Sequence, residues 1–155
     1  MSARYTLNSG GDIGLTAGVA KTVLLIRLTS AELLNLIEIG ISFDGQVATN
    51  EPVLCELFAS DGTTDGTPGS TPGTFQSGGP ARAFVGEGEI AFTAEPTVLD
   101  IAKSFKLRPD GGLVILQAPL GREFQQFRLS GTGLGLRITA PEAVNFTGWL
   151  EVEQG

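Results

Sequence analysis

The stretch LLNLIEIGISFDG, residues 33–45, decides the fold. From residue 37 it alternates strictly. Ile37, Ile39, Ile41 and Phe43 are apolar, and Glu38, Gly40, Ser42 and Asp44 stand between them. A period of two places one set of side chains in a core and the other in water, as in a half-buried β-strand. Just before it, Leu34 and Leu36 are apolar on even positions, so the phase slips near 36/37. A slip of one residue predicts a bulge or a turn there. Ser30 could instead cap a short helical turn over residues 30–36.

The same period recurs outward from this stretch. In KTVLLIRLTS, Leu24, Ile26 and Leu28 share one strand face, and Val23, Leu25 and Arg27 the other. EPVLCELFAS and EIAFTAEP read as further strands. TVLDIAKSFKL places Leu99, Ile101, Phe105 and Leu107 on odd positions, interrupted by Lys103. In GLGLRITAP, Leu134, Leu136 and Ile138 face away from Gly133, Gly135, Arg137 and Thr139. In AVNFTGWLEVE, Val144, Phe146, Leu150 and Val152 are even, and Asn145, Thr147, Trp149, Glu151 and Glu153 are odd. About eight strands with turn signals between them, and no strand–helix alternation, predict an all-β antiparallel sandwich. A jelly roll is the specific expectation.

GGLVILQAPLGREFQQF, residues 111–127, breaks the alternation. From 113 to 118 only Gln117 is polar. A run that is apolar on both faces belongs in the centre of a sheet or between layers. Asp110-Gly111-Gly112 opens it as a turn, and Pro119-Leu120-Gly121 ends it, because proline cannot donate to a ladder.

Two segments lack a strand pattern. Residues 1–20 are rich in small residues and read as an N-terminal arm with a short strand around residues 5–7. Residues 61–88 are mostly Gly, Ser, Thr and Pro, with TPG at 67–69 and again at 71–73. By composition they form a long loop inserted into a single domain spanning residues 21–155. Such a loop either packs along its own domain or is clamped by a neighbouring subunit, and because its apolar residues are few (Phe75, Phe84, Val85) the neighbour is the expectation.

The chain has 155 residues, 41 % of them apolar and 17 % charged, with a net charge of −7. Average proteins carry about 25 % charged residues. A surface this poor in charge implies that part of it meets protein rather than water. The acidic balance and the absence of any Lys/Arg cluster argue against nucleic acid as a partner. No apolar run approaches the ~20 residues of a membrane-spanning helix, and residues 1–20 carry no secretory-leader pattern.

There is no histidine. That removes Ser-His-Asp and Cys-His pairs and imidazole-based zinc sites from consideration. Cys55 is the only cysteine, so neither a disulfide nor a thiolate cluster can form, and PVLCELF reads it as a buried thiol. A carboxylate glycosidase would need two acids about 5–10 Å apart in a groove, and nothing in the sequence marks such a pair. No cofactor, metal or catalytic residue is expected. Asp61-Gly-Thr-Thr-Asp65-Gly66 begins like a calcium loop, but position three is Thr63 and position twelve is Pro72, so it reads as an acidic turn. Asn145-Phe146-Thr147 matches a glycosylation triplet, which has meaning only in a secreted chain. The alternate glycines of GTGLGLR lack the spacing and the following helix of a dinucleotide site. They predict instead the close approach of an aromatic ring or another subunit.

The phrases IEIGISFDG, EPVLCELF, FTAEPTVLD, RPDGGLVILQAPLGREF, GLRITAP and AVNFTGWLEVEQ, in that order, resemble small virion-associated proteins of tailed bacteriophages that infect actinobacteria. The resemblance covers residues 34–153 apart from the 61–88 loop. It implies a capsid decoration, or cement, protein: a β-rich homotrimer made in the host cytoplasm and bound to the major capsid protein on the outside of the shell. A tail- or fibre-associated module that binds a carbohydrate receptor is the alternative. Candidate interface residues are Arg4 and Tyr5 on the arm, Phe75 and Phe84 on the loop, Arg122 after the Pro-Leu-Gly turn, and Trp149. Trp149 lies on an otherwise polar strand face, where it would be a contact anchor, since Trp is enriched at binding hot spots; equally, a parity slip at Gly148 would place it in the core.

Overall fold

β12 (Asn145–Gln154) organises the first sheet. It pairs along its whole length with β4 (Glu32–Asp44) on one side and with β1 (Ala3–Asn8) on the other. A computed structural model describes residues 2–44, 51–60, 66–128 and 132–155. In it, β2 (Ile13–Gly14) touches the start of β12, and β6 (Phe75–Gly78) lies outside β1. The far edge of β4 carries two short strands in succession, β9 (Val114–Gln117) and β10 (Phe124–Arg128). The second sheet has the order β7-β3-β11-β5-β8. Its members are β7 (Gly86–Ile90), β3 (Ala20–Leu28), β11 (Gly133–Thr139), β5 (Val53–Ser60) and β8 (Val98–Leu107). All of these pairings are antiparallel.

Setting β2, β6 and β7 aside, β1-β12-β4-β9/β10 faces β3-β11-β5-β8. Successive strands cross between the sheets, except that β5 and β8 are neighbours and β9 and β10 share one edge. This is the strand order of a jelly roll, two Greek keys folded over each other. The fold is therefore all-β and a sandwich, as the alternation predicts.

The alternation also predicts which side chains point inward. Phe146, Leu150 and Val152 of β12, Leu134, Leu136 and Ile138 of β11, and Leu24, Ile26 and Leu28 of β3 all lie in one buried core. Each fully buried side chain of this size contributes about 1.5–3 kcal/mol relative to exposure. The phase slip at 36/37 is a bulge. Glu151 pairs with Glu38 and Val152 with Leu36, so Ile37 is the extra residue and Leu34, Leu36, Ile39 and Ile41 can all face inward. No helical turn forms at 30–36, where β4 has already begun. A second bulge at Val23 lets both Val23 and Leu24 reach the core.

Three expectations need correction. Residues 2–20 do not project as an arm. The strand expected at residues 5–7 is part of β1, whose Ala3, Tyr5 and Leu7 are buried between β12 and β6. Nor does the 61–88 segment, described from Gly66 onward, wait for a neighbour. Its β6 pairs with β1, and β7, which begins in the segment, pairs with β3. The Tyr5 hydroxyl donates to the Arg82 carbonyl at 2.5 Å, and the Val85 amide donates to Gln154 Oε1 at 2.8 Å. Arg82 reaches the Gly155 carbonyl at 2.9 Å. Backbone and polar contacts hold it where apolar contacts would be too few. The acidic turn at 61–65 lies outside the described residues. Finally, the greasy run at 113–118 is not central: β9 is an edge strand.

Candidate interaction surface

The two edges of the sandwich differ. On one, the segment carrying β6 and β7 closes the gap between the sheets. The Tyr5 and Phe84 rings meet there at 4.8 Å between centroids. On the other edge, β8 and β9/β10 are the outermost strands among the described residues, and a groove of about 620 Å³ opens between the layers. Leu36, Leu57, Phe105, Leu107, Leu116 and Phe124 line it.

Local sequence explains why this edge stays open. β8 follows β5 through two register shifts, which leave Leu99 and Ala102 as extra residues and bend the strand. β9 can pair with β4 over only four residues, Ile41 back to Glu38, before Pro119 ends the ladder. The turn at Pro119-Leu120-Gly121, closed by Arg122 N–H donating to the Pro119 carbonyl at 2.9 Å, then carries the chain away before β10 resumes pairing at Leu36. Gly121 is at φ 79°, a backbone conformation suited to glycine.

This edge concentrates exposed apolar side chains. Ile101, Leu113, Ile115, Leu116 and Leu120 are all 39 % or more exposed, Leu120 almost completely at 98 %. Elsewhere among the described residues, the large apolar side chains in that state are Val19 and Phe75. Scattered exposed apolar residues need no explanation, whereas a cluster beside an unpaired strand edge is the kind of feature that marks a candidate association surface. Lys103 and Arg122 stand on the groove lining, and among the described residues neither side chain has an acidic partner. Leu113, Ile115, Leu116 and Leu120 of this patch belong to the 111–127 run. Hydrophobicity marks them as buried, and only the edge position of β9 shows that this chain leaves them exposed.

The predicted interface residues separate. Arg122 is on the groove. Phe75 is 73 % exposed on β6, at the opposite edge of the same sheet. Arg4 is near it, its guanidinium 4.0 Å from Glu151. Tyr5 is a core residue, 2 % exposed, and Phe84 packs against the core beside it. Both hold the 66–88 segment in place rather than a partner. Trp149 keeps the parity of its strand, on the outer face of the first sheet, half-buried. Its ring covers Gly40, and its Nε1–H donates to Glu38 Oε1 at 2.8 Å.

The outer face of the second sheet has its own small buried cluster of Leu25, Phe58 and Phe92. The alternate glycines serve it: a β-carbon at Gly135 would lie 2.8 Å from the Phe58 ring. Close approach by an aromatic ring is the outcome at Gly135. Arg27 and Glu89 form a two-pronged ion pair on this face, at 3.1 and 3.2 Å, with both side chains 8 % exposed. Glu56 and Arg137 form another at 3.0 Å. Cys55 is fully buried, and burial pushes its thiol pKa up to about 12, so it is no nucleophile.

No family model and no curated protein sequence matches the chain. Among solved structures, it is similar to VP2 of infectious bursal disease virus, both as a mutant protein in derived T=1 particles and as a subviral particle. Identity is 12 % in each case, and the TM-score is 0.27 over 99 % of this chain and 40 % of VP2. The chain thus spans well under half the length of these proteins. A likeness at that score carries no argument, and the assignment of fold rests on the strand order. What fold and surface together define is a jelly-roll sandwich closed at one edge by the β6–β7 segment and bearing an apolar groove at the other.

Proposed function

We propose that this chain is a structural virion protein: a decoration, or cement, protein that forms homotrimers on the outer surface of a bacteriophage capsid and stabilises the shell. The observation that carries this reading is the uncovered apolar edge at β8 and β9. A monomer in water gains nothing from displaying Leu113, Ile115, Leu116 and Leu120. A protein that must adhere to a larger surface does. Jelly rolls are used in viral capsid domains, a fold-level analogy that supports this reading. The sequence phrases that resemble phage decoration proteins point the same way.

The mechanism is linkage. A protein that binds the assembled shell and not its dissociated subunits stabilises assembly by its binding free energy. Repetition over a symmetric particle multiplies modest contacts through effective concentration. The major capsid protein is the partner. The role requires no catalysis, cofactor, nucleic acid or membrane, in keeping with a histidine-free chain of net charge −7. The protein would be made in the host cytoplasm and end on the virion exterior.

The test is to assemble shells with and without this protein and follow their disruption by heat and by denaturant. Decorated shells are expected to survive to higher temperature. Equal disruption curves at saturating protein would overturn the proposal. A second reading, a tail or fibre module gripping carbohydrate, draws support from Trp149, whose indole sits half-exposed beside Glu38. Binding to a glycan array that Trp149→Ala abolishes would favour that reading.

A further inference from the structure

We propose that the groove between β8 and β9/β10 is the seat for a second copy of this chain, which enters it with the Phe75 corner of its opposite edge. Copies would then join head to tail into a closed ring. This rests on reading the groove edge as adhesive and adds the identity of its occupant.

Three observations carry it. First, the two features lie at opposite ends of one sheet: the order β10-β4-β12-β1-β6 places the groove at one edge and Phe75 at the other. One copy can therefore use both at once, without the two contacts competing for space. Second, shape matches. Phe75, 73 % exposed on a short edge strand, is a projecting aromatic knob. The groove's 620 Å³ lies within the ~300–1,000 Å³ of pockets that enclose whole ligands, so it has room for a phenyl ring and the residues beside it. Third, charge matches. The groove lining carries Lys103 and Arg122 without acidic partners among the described residues, and one acid, Glu38, whose carboxylate is taken up by Gln117 and Trp149. Phe75 is flanked by acids. Glu87 is exposed and lines a small hollow with Thr74. Glu151 lies on the same row as Phe75, both pairing with Thr6, although it is shared with Ser77 and Arg4. An apolar knob between carboxylates suits an apolar hollow between cations. A contact between two different patches is heterologous, and it closes into a ring when the rotation between copies allows.

Two single variants test this. Phe75→Ser removes the knob and leaves the groove. Leu116→Lys, at a half-exposed position, blocks the groove and leaves the knob. Each is first checked for unchanged circular dichroism and thermal midpoint. The mass in solution is then measured by light scattering up to ~1 mM chain. The wild-type chain is expected to form a closed species of three or more copies, and each variant alone to remain a single chain. An equal mixture of the two variants should stop at two chains, because one working contact remains and neither free end can extend. A wild-type chain that stays single, a variant that keeps the wild-type mass, or a mixture that does not pair would each overturn the inference. If the wild-type chain stays single yet stabilises shells, this inference fails and the proposed function stands. A ring that leaves shells unprotected gives the reverse.

Discussion

The indole of Trp149 rests on Gly40, its cross-strand neighbour, so closely that a β-carbon at Gly40 would lie 2.4 Å from the ring. The glycine makes the space, and the bond from Nε1–H to Glu38 Oε1 holds the ring in it. Gly40→Ala must displace the indole or the strand. The expected loss is about 1–3 kcal/mol, the usual range for overpacking. Urea unfolding measures it. Trp149 is the only tryptophan, so its fluorescence should also shift to the red as the ring is pushed into water.

Tyr5 joins the first strand to the 66–88 segment through its hydroxyl and its ring. Tyr5→Phe keeps the ring contact with Phe84 and loses one hydrogen bond, for an expected cost of about 0.5–1.5 kcal/mol. Tyr5→Ala removes both and leaves a cavity, for about 3–5 kcal/mol. Limited proteolysis should show cleavage within 66–85 rising sharply in the alanine variant and little in the phenylalanine variant. Equal protection in both would mean that the segment is held without Tyr5.

The Arg27–Glu89 pair is almost fully buried. Glu89→Ala leaves a guanidinium without its main counter-charge and should cost about 3–5 kcal/mol. Replacing both, as Arg27→Met with Glu89→Leu, should recover most of that loss, since two apolar residues carry no desolvation penalty. Chemical denaturation of the two variants side by side checks the order.

Cys55 should be silent toward thiol reagents in the native protein and react only as fast as the chain unfolds. Its pKa is raised from 9.0 to about 12 by burial, so the folded state holds the proton more tightly than the unfolded state. The associated stability is intact below pH 9 and is lost as pH climbs from 9 toward 12, by up to about 1.4 kcal/mol per pH unit. Cys55→Ala should flatten that alkaline fall. An unchanged pH profile in the variant would assign the fall to other groups.

Much of the sandwich is written in the period-two pattern. Residues 37–44 and 144–153 alternate because each strand has one face in the core, and even the bulge at Ile37 is visible as a phase slip. What the pattern misses has physical causes. Residues 66–88 look like a linker because composition records apolar content, whereas this segment is held by backbone ladders and by hydrogen bonds to Arg82 and Val85, which leave no compositional mark. The strand at residues 3–8 is short and followed by Ser9-Gly10-Gly11, so its inward Ala3, Tyr5 and Leu7 are too few to stand out. The 113–118 run misleads in the other direction. Hydrophobicity says that a side chain avoids water and not whether its own fold covers it, so an apolar edge strand reads like an interior one. For the interface residues, an aromatic ring in a loop marks Phe75 and Phe84 alike. Only the fold shows that one projects and the other packs.

β12 is among the last residues in the sequence and lies in the middle of the first sheet, between β1 and β4. During synthesis, the opening strand therefore has no partner on that side until Gln154 has left the ribosome. Folding of this sheet must wait until β12 has been made, as expected where contacts join distant parts of a sequence. A ribosome that stops before residue 145 releases a sheet with its central plank missing, a product for proteases rather than a weakened version of the protein.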